Sequence, residues 1–384
     1  MTTTPSFDRT LNGAPGAVAR IAVLDSLRGA AILSVFAYHA FFWSGLRADS
    51  WIARSAALIT RPGWLGVDLF FVLSGFLITG RLLDRRRTAP REYYRWFYTR
   101  RAIRILPLYY AALIVVGSVL WWAGETSGTF LVASAVFLPN IALLAGLWTS
   151  GPLAVLWSLG VEEQVYLVWP LLVRSLSGGR LAWFFVFVGI AEPVARWATF
   201  SAGLLHEGLS MATWLRLDGF AWGGLLAVLV RDARWTGARL GALGAGALAL
   251  AGGTTAICAS MGLLSRRTGV GSAAQLACAD VFFAGLVAVA LWRRGEAAPT
   301  PGRSVLASFG RISYCLYLVH QFAFWSFDRL AGVKPPFGLG PIAVRAVIVL
   351  AVSTAIAELS WRYLEGPSLE RRPALPAPAV AKSI

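Results

Sequence analysis

Charge is what this chain has least of. Of its 384 residues, 14% are Asp, Glu, Lys or Arg, where a soluble domain carries about a quarter. That shortfall excludes an ordinary water-soluble globule. Cysteine and histidine are scarce too, at three each. Cys258, Cys278 and Cys315 stand in apolar surroundings without ligand spacing, which excludes a disulfide framework and leaves small packing residues. The spread of the histidines excludes a zinc signature, and no metal is expected. No aromatic-basic nucleic-acid module accompanies the net charge of +16, so nucleic acid is excluded as a partner. There is no pair of halves with matched broken helices, which speaks against a repeat-built transporter. A cleavable signal peptide is also missing. No soluble domain is expected after the last apolar run.

What the chain has in abundance is long apolar runs. Hydrophobic residues make up 57% and the mean hydropathy is +0.64. Stretches of 18 or more largely apolar residues recur along the length, so the fold class is all-α, a polytopic membrane protein. Their length excludes a barrel of short alternating strands. Ten spans are expected near 28–45, 63–83, 105–123, 153–173, 181–200, 211–230, 240–258, 273–292, 304–327 and 341–363. With both termini cytoplasmic, the inside segments carry 24 Lys and Arg, counting Arg28 and Arg362 at their edges, and the outside segments carry 7. Segment 131–147 is apolar but broken by Pro139-Asn140. As a full span it would reverse every later loop and the charge bias with it. It is therefore expected to be re-entrant or surface-lying, within an outer loop 124–152. Residues 1–20 and 367–384 are expected to be tails, the first disordered and the second rich in Pro and Ala; residues 21–366 form the transmembrane domain.

Ionisable residues inside such spans are costly and mark function by default. Arg28 and His39 share the first span. Eleven steps at ~100° bring them to nearly one face, and the rise is roughly 16 Å. A permanent cation near one surface thus stands in line with an imidazole deep in the bilayer. The plainer reading is a histidine satisfied by a backbone carbonyl. Segment 81–104 holds nine arginines. Topology and anionic headgroups account for Arg85 to Arg87. Arg101 and Arg104, three apart, form a pair that can chelate a phosphate. Asp68 in the second span needs a proton or a cation, Arg28 or another. Glu162 and Glu163 point about 100° apart, so they are no shared-proton dyad; one can line a polar cavity and orient an acceptor or a histidine. Glu192 and Arg196 have the spacing of a self-neutralising pair. Arg216, Asp218, Asp280, Arg311, His320, Arg345 and Glu358 complete the set. His320 is equally readable as a structural or a catalytic residue, and His206 has no partner signal.

Seven segments, in order, together resemble the acyltransferase-3 family of bacterial integral-membrane O-acyltransferases. Leu24-Asp25-Ser26-Leu27-Arg28-Gly29 with His39 is similar to its Arg-x10-His signature. Gly66 to Ile78, around Asp68, is similar to its second-span motif, and Arg101 with Arg104 to its Arg-x-x-Arg. Trp157 to Pro170 is similar to its Trp-Ser-Leu-x-Val-Glu-Glu-Gln-x-Tyr segment. Arg216-Leu217-Asp218, Ser313-Tyr314 through His320, and Glu358 with Tyr363 to Pro367 follow. Gly160 replaces a common serine and Val165 a common aromatic; neither removes a chemical group of interest.

The resemblance implies transfer of an acyl group, usually acetyl, from a coenzyme A thioester to a hydroxyl of a saccharide, glycan, glycolipid or glycosylated metabolite. It implies no permanently bound cofactor and a place in the bacterial cytoplasmic membrane. In that reading His39 is a general base or an acyl carrier, with Arg28, Glu162 and Glu163 beside it. Arg28, Arg101 and Arg104 bind the donor's phosphates. Asp68, Asp218, His320 and Glu358 support. Two other classes compete: a proton-coupled exporter using the buried acids and histidines as a relay, and a noncatalytic lipid-binding protein driven by the basic segment.

Overall fold

The computed structural model describes residues 22–47, 49–203, 210–264, 268–293 and 301–367. The expected tail 1–20, nearly all of 367–384, and His206 lie outside them. Every regular element among the described residues is a helix; strand-like pairing is confined to two isolated bridges, Leu46 with Phe337 and Thr126 with Thr149. Helix α1 (Ala22–Ala37) widens into a π-helical segment, Tyr38–Trp43. The short α2 (Trp51–Thr60) leads through a 3-10 turn into α3 (Gly66–Asp84). Then come α4 (Pro90–Trp122), α5 (Gly128–Ala135), α6 (Pro139–Leu144), α7 (Leu156–Ser175) and α8 (Gly178–Ser201). The last five are α9 (Leu217–Leu229), α10 (Gly237–Ser260), α11 (Gly269–Trp292), α12 (Pro301–Ala331) and α13 (Leu339–Ser360).

Among the described residues, six helical stretches are long and apolar enough to cross a membrane: Trp51–Asp84, Pro90–Trp122, Gly178–Ser201, Gly237–Ser260, Gly269–Trp292 and Leu339–Glu365. Each of the ten expected spans falls on a helix. The four outside these six are α1, α7, α12 and the apolar but short α9, and they carry Arg28 and His39, Glu162 and Glu163, Arg311 and His320, and Asp218. Large apolar side chains face outward elsewhere. Trp183, Phe187, Ile190 and Val194 form an exposed stripe along α8, the pattern of a helix whose solvent is lipid.

Two expectations change. The sixth span, expected over 211–230, is helical only from Leu217; residues 213–215 form a 3-10 turn. Thirteen residues rise about 20 Å, short of a ~30 Å hydrocarbon core. The irregular approach is tolerated because it is tied down by protein: Asn140 Nδ2 donates to Thr213 Oγ1 (3.0 Å) and to the Met211 carbonyl (3.3 Å). The basic segment is also largely helix, not loop. Pro90 stands in the first turn of α4, where its missing N–H costs nothing, and the helix carries Arg91 through Arg104 straight into the third span.

The excursion 124–152 closes on itself. Ser150 N–H donates to the Glu125 carbonyl (2.9 Å) and Ser127 N–H to that of Trp148 (3.3 Å). Within it α5 and α6 are broken at Phe137, whose φ of 59° lies in the left-handed region. Eight residues of α5 rise only ~12 Å. A segment whose ends meet has gone in and come back, so 131–147 does not cross.

Helix α1 packs along α12 with almost no gap. A Cβ on Gly29 would stand 1.9 Å from the Leu306 carbonyl oxygen, and one on Gly310 1.8 Å from that of Asp25. Only glycine fits at either point, and small residues are how helices approach closely in lipid, where burial of apolar surface gives no drive. This crossing fixes Arg28 and His39 against Ser313 to His320.

Candidate active site

The basic end of the site is built where α3, α4 and α7 converge. Arg81, Arg100, Arg101 and Arg104 line a cleft of about 360 Å³ together with Trp96 and Phe97. Arg85 and Arg100 stack on Trp96 (4.6 and 5.5 Å). Arg101 lies over the rings of Tyr166 (4.9 Å) and Phe97 (5.8 Å). Guanidinium planes held by aromatic faces keep their N–H forks available.

Arg101 and Arg104 also line a second cleft of about 720 Å³, which reaches Arg28, Glu162, Glu163 and Tyr317. Arg104 stands in the fields of Arg28, Arg101 and Arg81. Among the described residues, none of Arg28, Arg101 and Arg104 forms an ion pair, and buried Arg28 Nε has no hydrogen-bond partner. The acids opposite are occupied differently. Glu162 Oε1 accepts from Ser74 Oγ (2.5 Å) and from the Tyr166 hydroxyl. Glu163 faces the fields of Arg101 and Glu162. The structure thus groups Arg28, Arg101, Arg104, Glu162 and Glu163 around one cleft.

His39 has a different neighbour from the one the sequence suggests. Its ring bonds to His320, not to a glutamate: His320 Nε2 and His39 Nδ1 are 3.2 Å apart. The tautomers follow from the carbonyls. His320 Nδ1 lies 2.8 Å from the Tyr317 carbonyl oxygen and 3.2 Å from that of Leu316. Carbonyls only accept, so that nitrogen carries the proton. Neutral His320 then presents a bare Nε2, His39 Nδ1–H donates to it, and His39 Nε2 is left with a free lone pair. His39 sits on the π-helical segment Tyr38–Trp43, a widened geometry that recurs at functional sites. It is half-buried and is not among the residues that line the arginine clefts. Tyr317 connects the two regions. It lines the larger cleft, its carbonyl holds His320, and its hydroxyl meets Ser158 Oγ (2.7 Å) and the Val155 carbonyl (3.0 Å).

Other candidates lie apart from these clefts. Asp68 pairs with Arg216 (2.8 Å), not Arg28. Asp218 takes both guanidinium arms of Arg196, at 3.0 Å on one oxygen. Glu192 is 3.6 Å from Arg196 but accepts the Leu217 N–H at 3.1 Å, so the expected self-neutralising pair is one edge of a larger knot. Glu358 pairs with Arg311 (2.9 Å). Ser74, Ser158, Tyr166 and Tyr317 are site residues that the reading of charges passed over; the Glu162–Tyr166 spacing of four was the available signal.

Comparison with known proteins rests on this geometry. A family model described as an acyltransferase domain matches residues 21–358, from the start of α1 into the last turn of α13. The chain belongs to the acyltransferase-3 family. Acyltransferase MdmB of Streptomyces mycarofaciens is 28% identical over 405 aligned positions, covering 95% of this chain and 96% of that one. Peptidoglycan O-acetyltransferase OatA of Listeria monocytogenes is 34% identical over 158 residues, 38% of this chain and 23% of its own length. The matched stretch is thus about a quarter of that relative. No solved structure gives a significant match. Membership in this family of integral-membrane acyltransferases agrees with the apolar outer faces of the helices.

Proposed function

We propose that this protein transfers an acyl group, acetyl in the first instance, from coenzyme A to a hydroxyl of a saccharide, glycan or glycosylated metabolite, in the cytoplasmic membrane of a bacterium with both termini inside. The observation that carries the proposal is the set of unpaired arginines, Arg28, Arg101 and Arg104, lining one cleft with Tyr317, the residue whose carbonyl orients the histidine pair. Acyl-coenzyme A supplies what such clefts ask for: phosphates for the guanidinium forks and a narrow arm ending in a thioester.

In this reading the phosphates sit at Arg81, Arg100, Arg101 and Arg104, and Arg28 faces the inner part of the donor. His39 Nε2 takes the proton of the acceptor hydroxyl as its oxygen attacks the thioester carbonyl. The C–S bond breaks, and the thiolate leaves and recovers the proton from the imidazolium. His320 stabilises that imidazolium through its bare Nε2, the part a carboxylate takes in a hydrolase triad. Glu163, facing the larger cleft, is free to orient donor or acceptor, while Glu162 is held by Ser74 and Tyr166. The similarity to OatA, a peptidoglycan O-acetyltransferase, favours a glycan hydroxyl as acceptor class. The exporter reading, whose relay would run through Asp68, Glu162, Glu163, His39 and His320, loses ground at Asp68, which is tied to Arg216.

The test is turnover of radiolabelled acetyl-CoA by purified protein in nanodiscs, wild type against His39→Ala. His39-dependent thioester cleavage or labelling is the expected result. Equal turnover by the folded variant would remove His39 from the chemistry.

A further inference from the structure

We infer that Arg345, Asp328 and Ser44 form a positioning clamp on the backbone of His39, holding the π-helical segment in the register that aims His39 Nε2. The inference rests on the assignment of His39 as the reacting group above.

The clamp begins at the His39 carbonyl, in the closing turn of the π-helical segment. Ser44 Oγ supplies a donor at 2.6 Å. Arg345 Nη1 in turn donates to Ser44 Oγ at 3.0 Å, which commits the serine's own hydrogen to His39. Arg345 is itself fixed by a two-point fork on Asp328, Nε to Oδ1 and Nη2 to Oδ2, both 2.6 Å. It is 4% exposed and lies over two ring faces, Phe324 at 4.3 Å and Phe337 at 5.1 Å.

Those rings join the clamp to both histidines. Phe324 packs against Phe36 with its ring tilted (5.0 Å), three residues before His39, and stands one helical turn after His320. Phe337 bridges to the chain just beyond His39: its N–H donates to the Gly45 carbonyl (3.1 Å) and its carbonyl accepts from Arg47 N–H (2.8 Å). Gly45 has a φ of 73°, so the chain leaves the π-helical segment through a turn suited to glycine. Arg345 on α13 therefore holds α1 and α12 at the level of the histidines.

A purely structural ion pair would be complete with Asp328. Burying a guanidinium costs several kcal/mol even when paired, and the fork on Asp328 already offsets that. The further bond to Ser44 does something else. It removes freedom from the one hydroxyl that fixes the His39 backbone. Reacting groups must be held to within a fraction of an ångström, and a 1 Å displacement costs about 100-fold in rate.

The experiment uses the full protein in nanodiscs, with acetyl-CoA as the probe, and compares wild type, Ser44→Ala, Ser44→Thr, Arg345→Lys and His39→Ala. Ser44→Ala is expected to lower kcat about tenfold while KM for acetyl-CoA stays within about twofold, the signature of a lost transition-state geometry. Ser44→Thr keeps the hydroxyl and recovers most of the rate. Arg345→Lys keeps the charge but not the fork and falls with Ser44→Ala. A readout independent of turnover is carbethoxylation of His39 by diethyl pyrocarbonate, followed by peptide mass. It should rise about threefold or more in Ser44→Ala and not in Ser44→Thr once the ring is loosened. Wild-type kcat and wild-type modification in Ser44→Ala would overturn the clamp, as would a loss that Thr does not repair. If Arg345→Lys fails to fold, the two serine variants decide. Full activity in His39→Ala would instead sink the assignment of His39, a result distinct from failure of the clamp.

Discussion

Replacing Arg104 by Gln should move donor affinity and unliganded stability in opposite directions. Arg104 stands among Arg28, Arg101 and Arg81, with the acid Glu365 as its one opposing field outside the cleft. Two like charges about 7 Å apart at an effective dielectric of 20 repel by about 2 kcal/mol. Three such neighbours, opposed by Glu365 and by Glu162 and Glu163 on the larger cleft, leave the empty site with a net repulsion of about 2 kcal/mol, and Gln removes it at a cost of about 1 kcal/mol in lost contacts. A bound phosphate would lose one charge-assisted bond, about 1.5–3 kcal/mol, or roughly 10- to 100-fold in Kd. The assay is titration of the nanodisc-embedded protein with coenzyme A at two salt concentrations, beside thermal unfolding without ligand. The expected outcome is weaker binding, a shallower salt dependence and an unliganded Tm that holds or rises. A falling Tm with unchanged affinity would refute the reasoning, because Arg104 would then be a structural residue.

His39→Ala should cost about 10²–10⁴ in turnover, the range for a general base, and His320→Ala somewhat less, with donor affinity unchanged in both by equilibrium binding. Gly310→Ala should lower Tm sharply, since the new methyl meets the Asp25 carbonyl at 1.8 Å and overpacking costs about 1–3 kcal/mol or more; unfolding in nanodiscs checks it, and an unchanged Tm would mean the α1–α12 contact yields. Arg196→Met should destabilise by about 3–5 kcal/mol by stranding Asp218, and adding Asp218→Leu should recover most of that. Neither should alter coenzyme A affinity in the fraction that folds.

The sequence exposed the parts of the site that depend on local periodicity. Arg28 and His39 share a helix, and eleven steps predict their common side. Arg101 and Arg104 are three apart on one helix and do line the same clefts. The helical start of the basic segment was written in Ala89-Pro90 but outweighed there by the arginines. What local periodicity cannot carry is pairing across the bundle. His39 and His320 are 281 positions apart, and nothing in either neighbourhood names the other. The partner of a carboxylate depends on the same pairing across the bundle. An i,i+4 acid such as Glu192 is always visible to Arg196, but Asp218, arriving from another helix with two oxygens in the plane of the guanidinium, makes the better bond. Ser44 and Tyr317 matter through one hydroxyl and one carbonyl, groups that carry no composition signal at all.

Energetics sort the buried polar groups of this protein into two sets. Removing a charge from water costs several kcal/mol, and the cost is offset only by a close partner. Asp68 with Arg216, Asp218 with Arg196, and Asp328 with Arg345 meet that requirement, each at 3.0 Å or less. They hold the bundle together as ion pairs, although Asp68 Oδ2, Arg196 Nε and Arg216 Nε are buried without hydrogen-bond partners. Arg28, Arg101 and Arg104 do not meet it. They face one another around the larger cleft, Arg101 also over the rings of Phe97 and Tyr166, with Glu162 and Glu163 on the same cleft but no ion pair formed among the described residues. Helices α3, α7 and α9 supply acids within the same bundle, yet the described ion pairs leave these three arginines out. An arrangement that keeps cations together at a cost in the empty state is explained if an anion occupies the site during function, so that the strain is released on binding. The histidines extend the same logic to the proton: His320 is locked by two carbonyls, and the lock leaves His39 with the one unshared nitrogen lone pair of the couple.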